Sequence, residues 1–439
     1  MPRLPVFRPA LPLVLFAVWA LPLAASEEAA LGAPLVKRIV ERLDRDFDPA
    51  TGRFRGAPPL PPHGVLRFLL TDRVRTAAPG AVPLATATLE ALARGGIHDQ
   101  VGGGFHHAAA GVGWRVPRFE KLLGDNALLL RAYALAYVAN GNLLFRDVAK
   151  ETSAWAIREM RDSTGAFWTG LGARGEGGEG AYYIWTEGEI VRTLGPARAE
   201  ELLAVYRLEP PGVLNLVGSP FAGLGPSREV LLVRRARRIR PSIDEKVEAG
   251  SNGLMVGALA TSGSLLKRGS DLEAARRAAT AVLDRLGPPA TLKHYAVGTE
   301  AFGAAPLEGY AYLAEGLLDL HEATGEPRWR SAASALVDTA VLRFWDERGG
   351  GFREPKVGEG TVAAGPKTAR DADLPSANGI LASVLLRLGR LTGDSRYAHL
   401  GRRTVEAFRA EAEQDSRGME TLAAAAVALD AATPAPGAR

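Results

Sequence analysis

EGYAYLAEGLLDLHEATGEPRWRSAASALVDTAVLRFWDERGGGF, residues 308–352, reads as one structural unit from end to end. Leu313 to Leu320 is apolar on more than one face, the pattern of a helix covered on both sides. Gly325 follows, and glycine supplies the positive φ that ends a helix before a tight turn. A second helix then runs from about residue 328 to Trp345 and leaves through DERGGGF, an aspartate, a glycine turn and an aromatic residue. The stretch predicts a helical hairpin.

The same punctuation recurs on both sides of it. Entrances like that at Gly325 stand at AYVANGNLLF (Gly141) and LTGDSRY (Gly393), with a weaker form at LLKRGSDLEA (Gly269). Exits like DERGGGF appear as FDPATGRF, DSTGAFW and QDSRGME. Apolar spacing predicts helices near residues 31–46, 83–94, 121–140, 143–161, 250–268, 271–286, 308–323, 328–345, 376–391, 395–413 and 418–431. Five or six hairpins of unequal spacing, with long irregular stretches between some of them, fit a closed ring better than a regular open array. The expected fold is all-α, an (α/α)6 toroid of helical hairpins with a few short β-hairpins in its loops, forming a single domain over residues 27–435. In such a ring the loops at one end of the inner helices surround a central pocket.

Composition narrows the function classes. The 439 residues carry a formal charge of only +4, and the arginines are spread along helices, so nucleic acid is not an expected partner. There is no cysteine, which excludes disulfides, thiolate metal sites, cysteine nucleophiles and redox pairs. Arg3 and Arg8 precede an apolar run, Leu11 to Ala25, and small residues Ala24 to Ser26 lie before Glu27. That order predicts a signal peptide over residues 1–26 and an exported protein, periplasmic or secreted, with membrane attachment only if the leader stays uncleaved as an anchor.

The irregular stretches are where function is expected. Asp48 to Pro83, with RFRGAPPLPPHG, reads as a connector. Phe167 to Thr186 reads as a glycine-rich turn and a short aromatic hairpin, without the lysine and helix start of a phosphate loop. The basic run Val233 to Lys246 reads as a solvated helix face.

Chemistry is concentrated between Gly95 and Asn126, GGIHDQVGGGFHHAAAGVGWRVPRFEKLLGDN. Asp99, Glu120 and Asp125 are candidate acids and bases, suited in pairs to glycosidic cleavage. His106, with His98 and His107 beside it, suits proton exchange at a carbon next to a carbonyl. Trp114 suits stacking on a sugar face. Structural roles compete with each of these: Asp125 and Asn126 also suit helix capping, and Glu120 an ion pair with Lys121. His106 and His107 lack a third ligand at metal-site spacing, so no metal and no cofactor are expected.

The segments GGIHDQVGGGFHH, WRVPRFEKLLGDNALLLRAY, AYYIWTEGEI, NGLMVGALA, GYAYLAEGLLDLHEATG and LPSANGILASVLLRLGRLTGD resemble, in order, the helical-barrel portion of the thioredoxin-domain-containing proteins related to spermatogenesis-associated protein 20. The likeness spans about residues 45–430. It implies a toroid of the six-hairpin glycosidase and N-acylglucosamine 2-epimerase type and carbohydrate-related chemistry; the candidate lining for a small-molecule or oligosaccharide ligand in its pocket is His98, His107, Trp114, Arg118, Asn126, Trp185, Asn252, Glu308, Tyr310 and Asn378. Against the family pattern, a signal peptide stands where a thioredoxin-like domain is usual. Asp-Ala-Asp is absent from Gly170–Gly180, Ser251 replaces a tryptophan, and Glu308-Gly309 replaces Asp-Asp. His107 replaces an arginine, Arg118 a histidine and Gly124 a tyrosine. Two functions follow as alternatives: an exported carbohydrate-active enzyme, hydrolase or epimerase, or a non-catalytic sugar-binding or scaffold protein that retains the ring.

Overall fold

Twelve helices build the ring in the computed structural model, which describes residues 31–111, 113–220, 223–354 and 365–430. In chain order they are α1 (Gly32–Asp46), α2 (His63–Leu69), α3 (Ala81–Arg94), α4 (Leu123–Asn140), α5 (Leu143–Trp155) and α6 (Ala249–Leu265), then α7 (Gly269–Leu286), α8 (Leu307–Thr324), α9 (Pro327–Phe344), α10 (Ala377–Thr392), α11 (Ser395–Glu406) and α12 (Glu420–Asp430). The even-numbered helices touch in the order α2, α4, α6, α8, α10, α12 and back to α2, an inner circle of six. Each odd-numbered helix packs outside an inner one. Closure comes from the two ends of this series. The backbone N–H of Ala33 donates to Asp430 Oδ2 at 3.1 Å, and Gly32 lies against the backbone of Val427 too closely for any Cβ. One hydrophobic core extends from Leu31 to Leu429.

Burial follows this arrangement. Inner helices are covered nearly all round, as in α6, where every residue from Ala249 to Ala260 is buried. Outer helices bury one stripe, as α1 does with Leu35, Val36, Ile39, Val40 and Leu43. Between α6 and α8 glycine brings two backbones together: a Cβ on Gly253 would lie 2.5 Å from the Leu313 backbone, and one on Gly316 would run into the Gly253 carbonyl. Because backbone cannot yield as a flexible side chain does, Gly316→Ala is expected to destabilise the protein by about 1–3 kcal/mol. The measurement is the shift in urea midpoint at constant slope.

The ring has two unlike ends. Gly141, Gly325 and Gly393 close α4, α8 and α10 with φ of 73°, 73° and 74°, as the sequence predicts, so those inner helices turn directly into their outer partners. The return connections, from outer to inner helix, are long and irregular. They gather where the inner helices begin, at the positive ends of the helix dipoles. This end is the mouth.

Other expectations are revised. The connector Asp48–Pro83 contains the inner helix α2, which is seven residues long and follows a proline run, too short to show a period. Three helices in the long excursion before α6 (Glu187–Leu194, Pro196–Val205 and Gly225–Arg235) lack a sequence signal strong enough to separate them from loop. The glycine-rich hairpin forms at Arg174–Gly175 and Gly178–Glu179, but the aromatic residues follow it in a turn rather than in strands. The basic run is solvated over most of its length, with Arg234, Arg237 and Lys246 exposed, but three of its arginines also act as fasteners. Arg235 is fully buried, Arg238 donates to the carbonyls of Tyr182 and Ile184 and pairs with Glu189, and Arg240 reaches Glu159. The leader read at residues 1–26 lies outside the described residues. Among those described, no helix is long and apolar enough to cross a membrane.

Candidate active site at the mouth of the toroid

The block HDQVGGGF, residues 98–105, is a second copy of WDERGGGF, residues 345–352. The two fold almost atom for atom alike. Gly103 N–H donates to the Asp99 carbonyl at 2.9 Å and Gly350 N–H to that of Asp346 at 2.8 Å. One carboxylate oxygen of Asp99 accepts from the N–H groups of Val101 and Gly102, and one of Asp346 from those of Arg348 and Gly349. Lys121 Nζ bridges Asp99 (2.8 Å) to the Gly103 carbonyl (2.9 Å); Lys367 Nζ bridges Asp346 (2.9 Å) to the Gly350 carbonyl (2.7 Å).

Asparagine completes each turn. Asn126 accepts from the Phe105 N–H and donates to the Phe105 carbonyl, at 2.6 and 2.9 Å, as though it were a neighbouring strand. Asn252 clamps Phe167 in this way, and Asn378 clamps Phe352. These three asparagines, expected to line the pocket, are buried parts of the frame. Removing one leaves a buried donor and acceptor without partners, so Asn252→Ala is expected to lower stability by about 1–3 kcal/mol, read from thermal or urea unfolding.

Asp99 is drawn deeper into the frame than its counterpart. Besides Lys121 it pairs with Arg235 Nη1 at 2.8 Å, and the side chains of both cations are completely buried. The guanidinium leaves no room for a Cβ at Gly102. Arg235 lies over the rings of Tyr182 and Tyr183, and Lys121 faces those of Tyr183 and Trp155. Although burial opposes ionisation, the two cations hold the Asp99 carboxyl well below the usual carboxylate range. His98 and His106 lie alongside. Burial pushes the imidazole of His98 down to about 4 and that of His106 well below its ordinary value. The gap among them measures about 20 Å³, room for about one water molecule and none for a sugar ring.

Three further pocket assignments move as well. Trp114 is buried beneath Arg53, and Trp185 beneath Arg238. Tyr310 turns outward, its hydroxyl donating to the Pro289 carbonyl and accepting from Arg343 of α9.

What remains at the mouth is a linked set on α2, α4 and the loop before α4. Asp125, in the first turn of α4, is buried and receives two imidazoles: His63 Nε2 at 3.1 Å and His107 Nδ1 at 2.7 Å. An ionised carboxylate only accepts, so both ring nitrogens donate, and His107 keeps Nε2 for a ligand. The side chain of His107 is 25% exposed, which makes it the reachable member. Its hydrogen bond to Asp125 raises its affinity for a proton, and the carboxylates of Glu120 and Asp373 add to this. The strand Pro117–Arg118 pairs with Ala108–Ala109, and the His107 N–H donates to the Glu120 carbonyl, so Arg118 and Glu120 lie exposed beside His107. At Gly124 a Cβ would fit without clash, in ordinary contact with Leu374 and Leu254 at 3.6 and 3.8 Å.

The repeated turn places a counterpart to this group. His107 stands two residues beyond Phe105, and Glu354 two beyond Phe352, in loops leading into α4 and α10, which lie opposite each other in the inner circle. Glu354 is half-buried, and burial together with Glu308 in the first turn of α8 raises its carboxyl above the ordinary value. His63, Asp373 and Glu354 are residues that sequence reasoning misses; only the match of HDQVGGGF to WDERGGGF pointed to Glu354. Among the described residues, no group of three or more His, Asp or Glu is arranged to hold a metal ion.

Comparison with known proteins agrees with this frame. No family model matches the chain. Spermatogenesis-associated protein 20 of Homo sapiens is 31% identical over 427 aligned positions, covering 82% of this chain and 54% of that protein. The Mus musculus protein is 32% identical, covering 83% and 54%. The chain thus spans about half the length of the curated relatives it matches. Among solved structures, a D-mannose isomerase aligns with a TM-score of 0.57 at 12% identity, covering 87% of each chain. The cellobiose 2-epimerase of Bacillus thermoamylovorans aligns at 0.55 with 7% identity, covering 86% and 87%. An unsaturated glucuronyl hydrolase specific for heparin aligns at 0.53 with 11% identity, covering 91% and 95%. At such identities the likeness establishes the (α/α)6 toroid alone.

Proposed function

The chain is a homologue of spermatogenesis-associated protein 20 folded as a six-hairpin toroid, and from that footing we propose that it performs acid/base chemistry on a sugar bound at the mouth. The observation that carries this reading is the His63–Asp125–His107 relay. Asp125 fixes the tautomer and orientation of His107 and favours its protonated form, which suits it to donate a proton as a general acid. Glu354, from the equivalent position across the ring, is the matching base, strengthened by the same burial that raises its carboxyl. A proton delivered on one side of a sugar and removed on the other serves epimerisation next to a carbonyl; with water as the group deprotonated, it serves glycosidic hydrolysis.

The test is direct. Protein comprising residues 27–439 is incubated in D2O with D-mannose, N-acetyl-D-glucosamine, cellobiose and unsaturated uronyl disaccharides, and followed by NMR. Deuterium entering the sugar carbon skeleton, or a cleaved glycosidic bond, supports the reading. A second reading, sugar binding without turnover, is favoured by the closure of the Asp99, His98 and His106 cluster into the frame. It predicts saturable binding with no product. We also propose that residues 1–26 direct export; N-terminal sequencing of the chain recovered outside the cytoplasm checks this.

A further inference from the structure

At the end of the toroid opposite His107, the C-terminal halves of the inner helices enclose a cavity of about 620 Å³, within the range of about 300–1,000 Å³ found for small-molecule sites. Its wall carries an unbroken chain of alternating charge. Arg67 of α2 forks onto Glu315 of α8, one arm at 3.0 Å. Arg131 of α4 reaches Glu315 at 3.4 Å and also binds Asp319. Arg387 of α10 continues to Asp319 at 2.7 Å and Glu322 at 3.0 Å. The three arginine side chains are no more than 17% exposed, and Glu315 only 3%.

The pairing decides what such a wall can accept. The three buried guanidiniums each face a carboxylate, while Arg73 and Arg390 stand exposed at the rim, so an ion meets little uncompensated charge on the inner wall, and an apolar occupant would leave that wall without solvation. Each carboxylate nevertheless has lone pairs, and each guanidinium N–H groups, beyond those used in the pairs. A hydroxyl group answers both, donating to the carboxylate and accepting from the guanidinium. Because the arginine forks are locked by their partners, little side-chain freedom is lost when a ligand enters. We propose that this cavity is a second binding site, separate from the mouth, for a small polyhydroxylated molecule of mono- or disaccharide size. It does not depend on the chemistry assigned to His107.

The experiment uses the full chain and four variants, titrated calorimetrically and by saturation-transfer NMR with D-mannose, N-acetyl-D-glucosamine, cellobiose and myo-inositol. Thr261→Trp and Ser383→Trp fill the cavity from two different helices, Glu322→Gln removes one charge at its rim, and His107→Gln alters only the mouth. At least one probe is expected to bind wild type and His107→Gln equally, and to weaken by about tenfold or more in either tryptophan variant. Should both tryptophan variants fail to fold, the same weakening in Glu322→Gln decides the matter. No binding of any probe to wild type overturns the proposal, as does binding that survives cavity filling or that is lost only in His107→Gln; that last result assigns the ligand to the mouth.

Discussion

His107→Gln is expected to lower kcat by about 10²–10⁴-fold, the usual contribution of a positioned acid or base, while leaving KM and thermal stability nearly unchanged. The stability half follows from position: His107 is partly exposed, and its hydrogen bond joins Asp125, which keeps His63 as a partner. The pH profile adds a sharper requirement. His107 must carry its proton to act as the acid, and its affinity for that proton is raised, so kcat/KM falls as pH rises through a value above about 6.5. Glu354 must be ionised, and its carboxyl is raised, so kcat/KM falls on the other side as pH drops through a value above about 4.3. Asp125→Asn removes the main cause of the His107 shift and moves the alkaline limb to lower pH without moving the acid limb. An unchanged alkaline limb in that variant would remove His107 from the chemistry.

This variant pair also separates frame from site, which the sequence alone does not do. Hairpins are legible because their punctuation is local: Gly141, Gly325 and Gly393 sit at left-handed helix ends that glycine alone adopts without cost, and alternating apolar faces mark the helices between them. The site is not local. Asp99 and Asp125 are both aspartates in one loop segment, yet one is held by two buried cations and the other by two imidazoles, and the partners arrive from as far away as Arg235 and His63. A cluster of polar residues looks the same in sequence whether it faces a substrate or another part of the loop. The signal that distinguishes them is internal repetition: Asp346, which holds the same turn from the opposite side of the ring, accounts for Asp99 as a turn residue before any chemistry is invoked. Arg235 gives no such sign within a basic run, because burial of one arginine among several is decided by the distant tyrosines it meets.

Asp99→Asn is expected to be the most destabilising of these substitutions, by about 3–5 kcal/mol. Asparagine can still accept from Val101 and Gly102, so the turn itself survives. What it cannot do is neutralise Lys121 and Arg235, whose fully buried side chains then lose the carboxylate that lies between them. The urea midpoint should fall at constant slope, and adding Lys121→Met and Arg235→Met to Asp99→Asn should recover much of the loss, since removing the whole buried set costs far less than stranding two charges. The pH dependence follows from the depressed carboxyl of Asp99. Its stabilising contribution is complete above the unfolded value of about 3.9 and is lost as pH falls toward its lower folded value, so wild type should shed more stability in that acid window than Asp99→Asn, which keeps only the share due to other depressed carboxylates such as Asp125 and Glu315. If Asp99→Asn instead unfolds at the wild-type urea concentration yet loses turnover, Asp99 belongs to the chemistry and the turn repeat does not explain it.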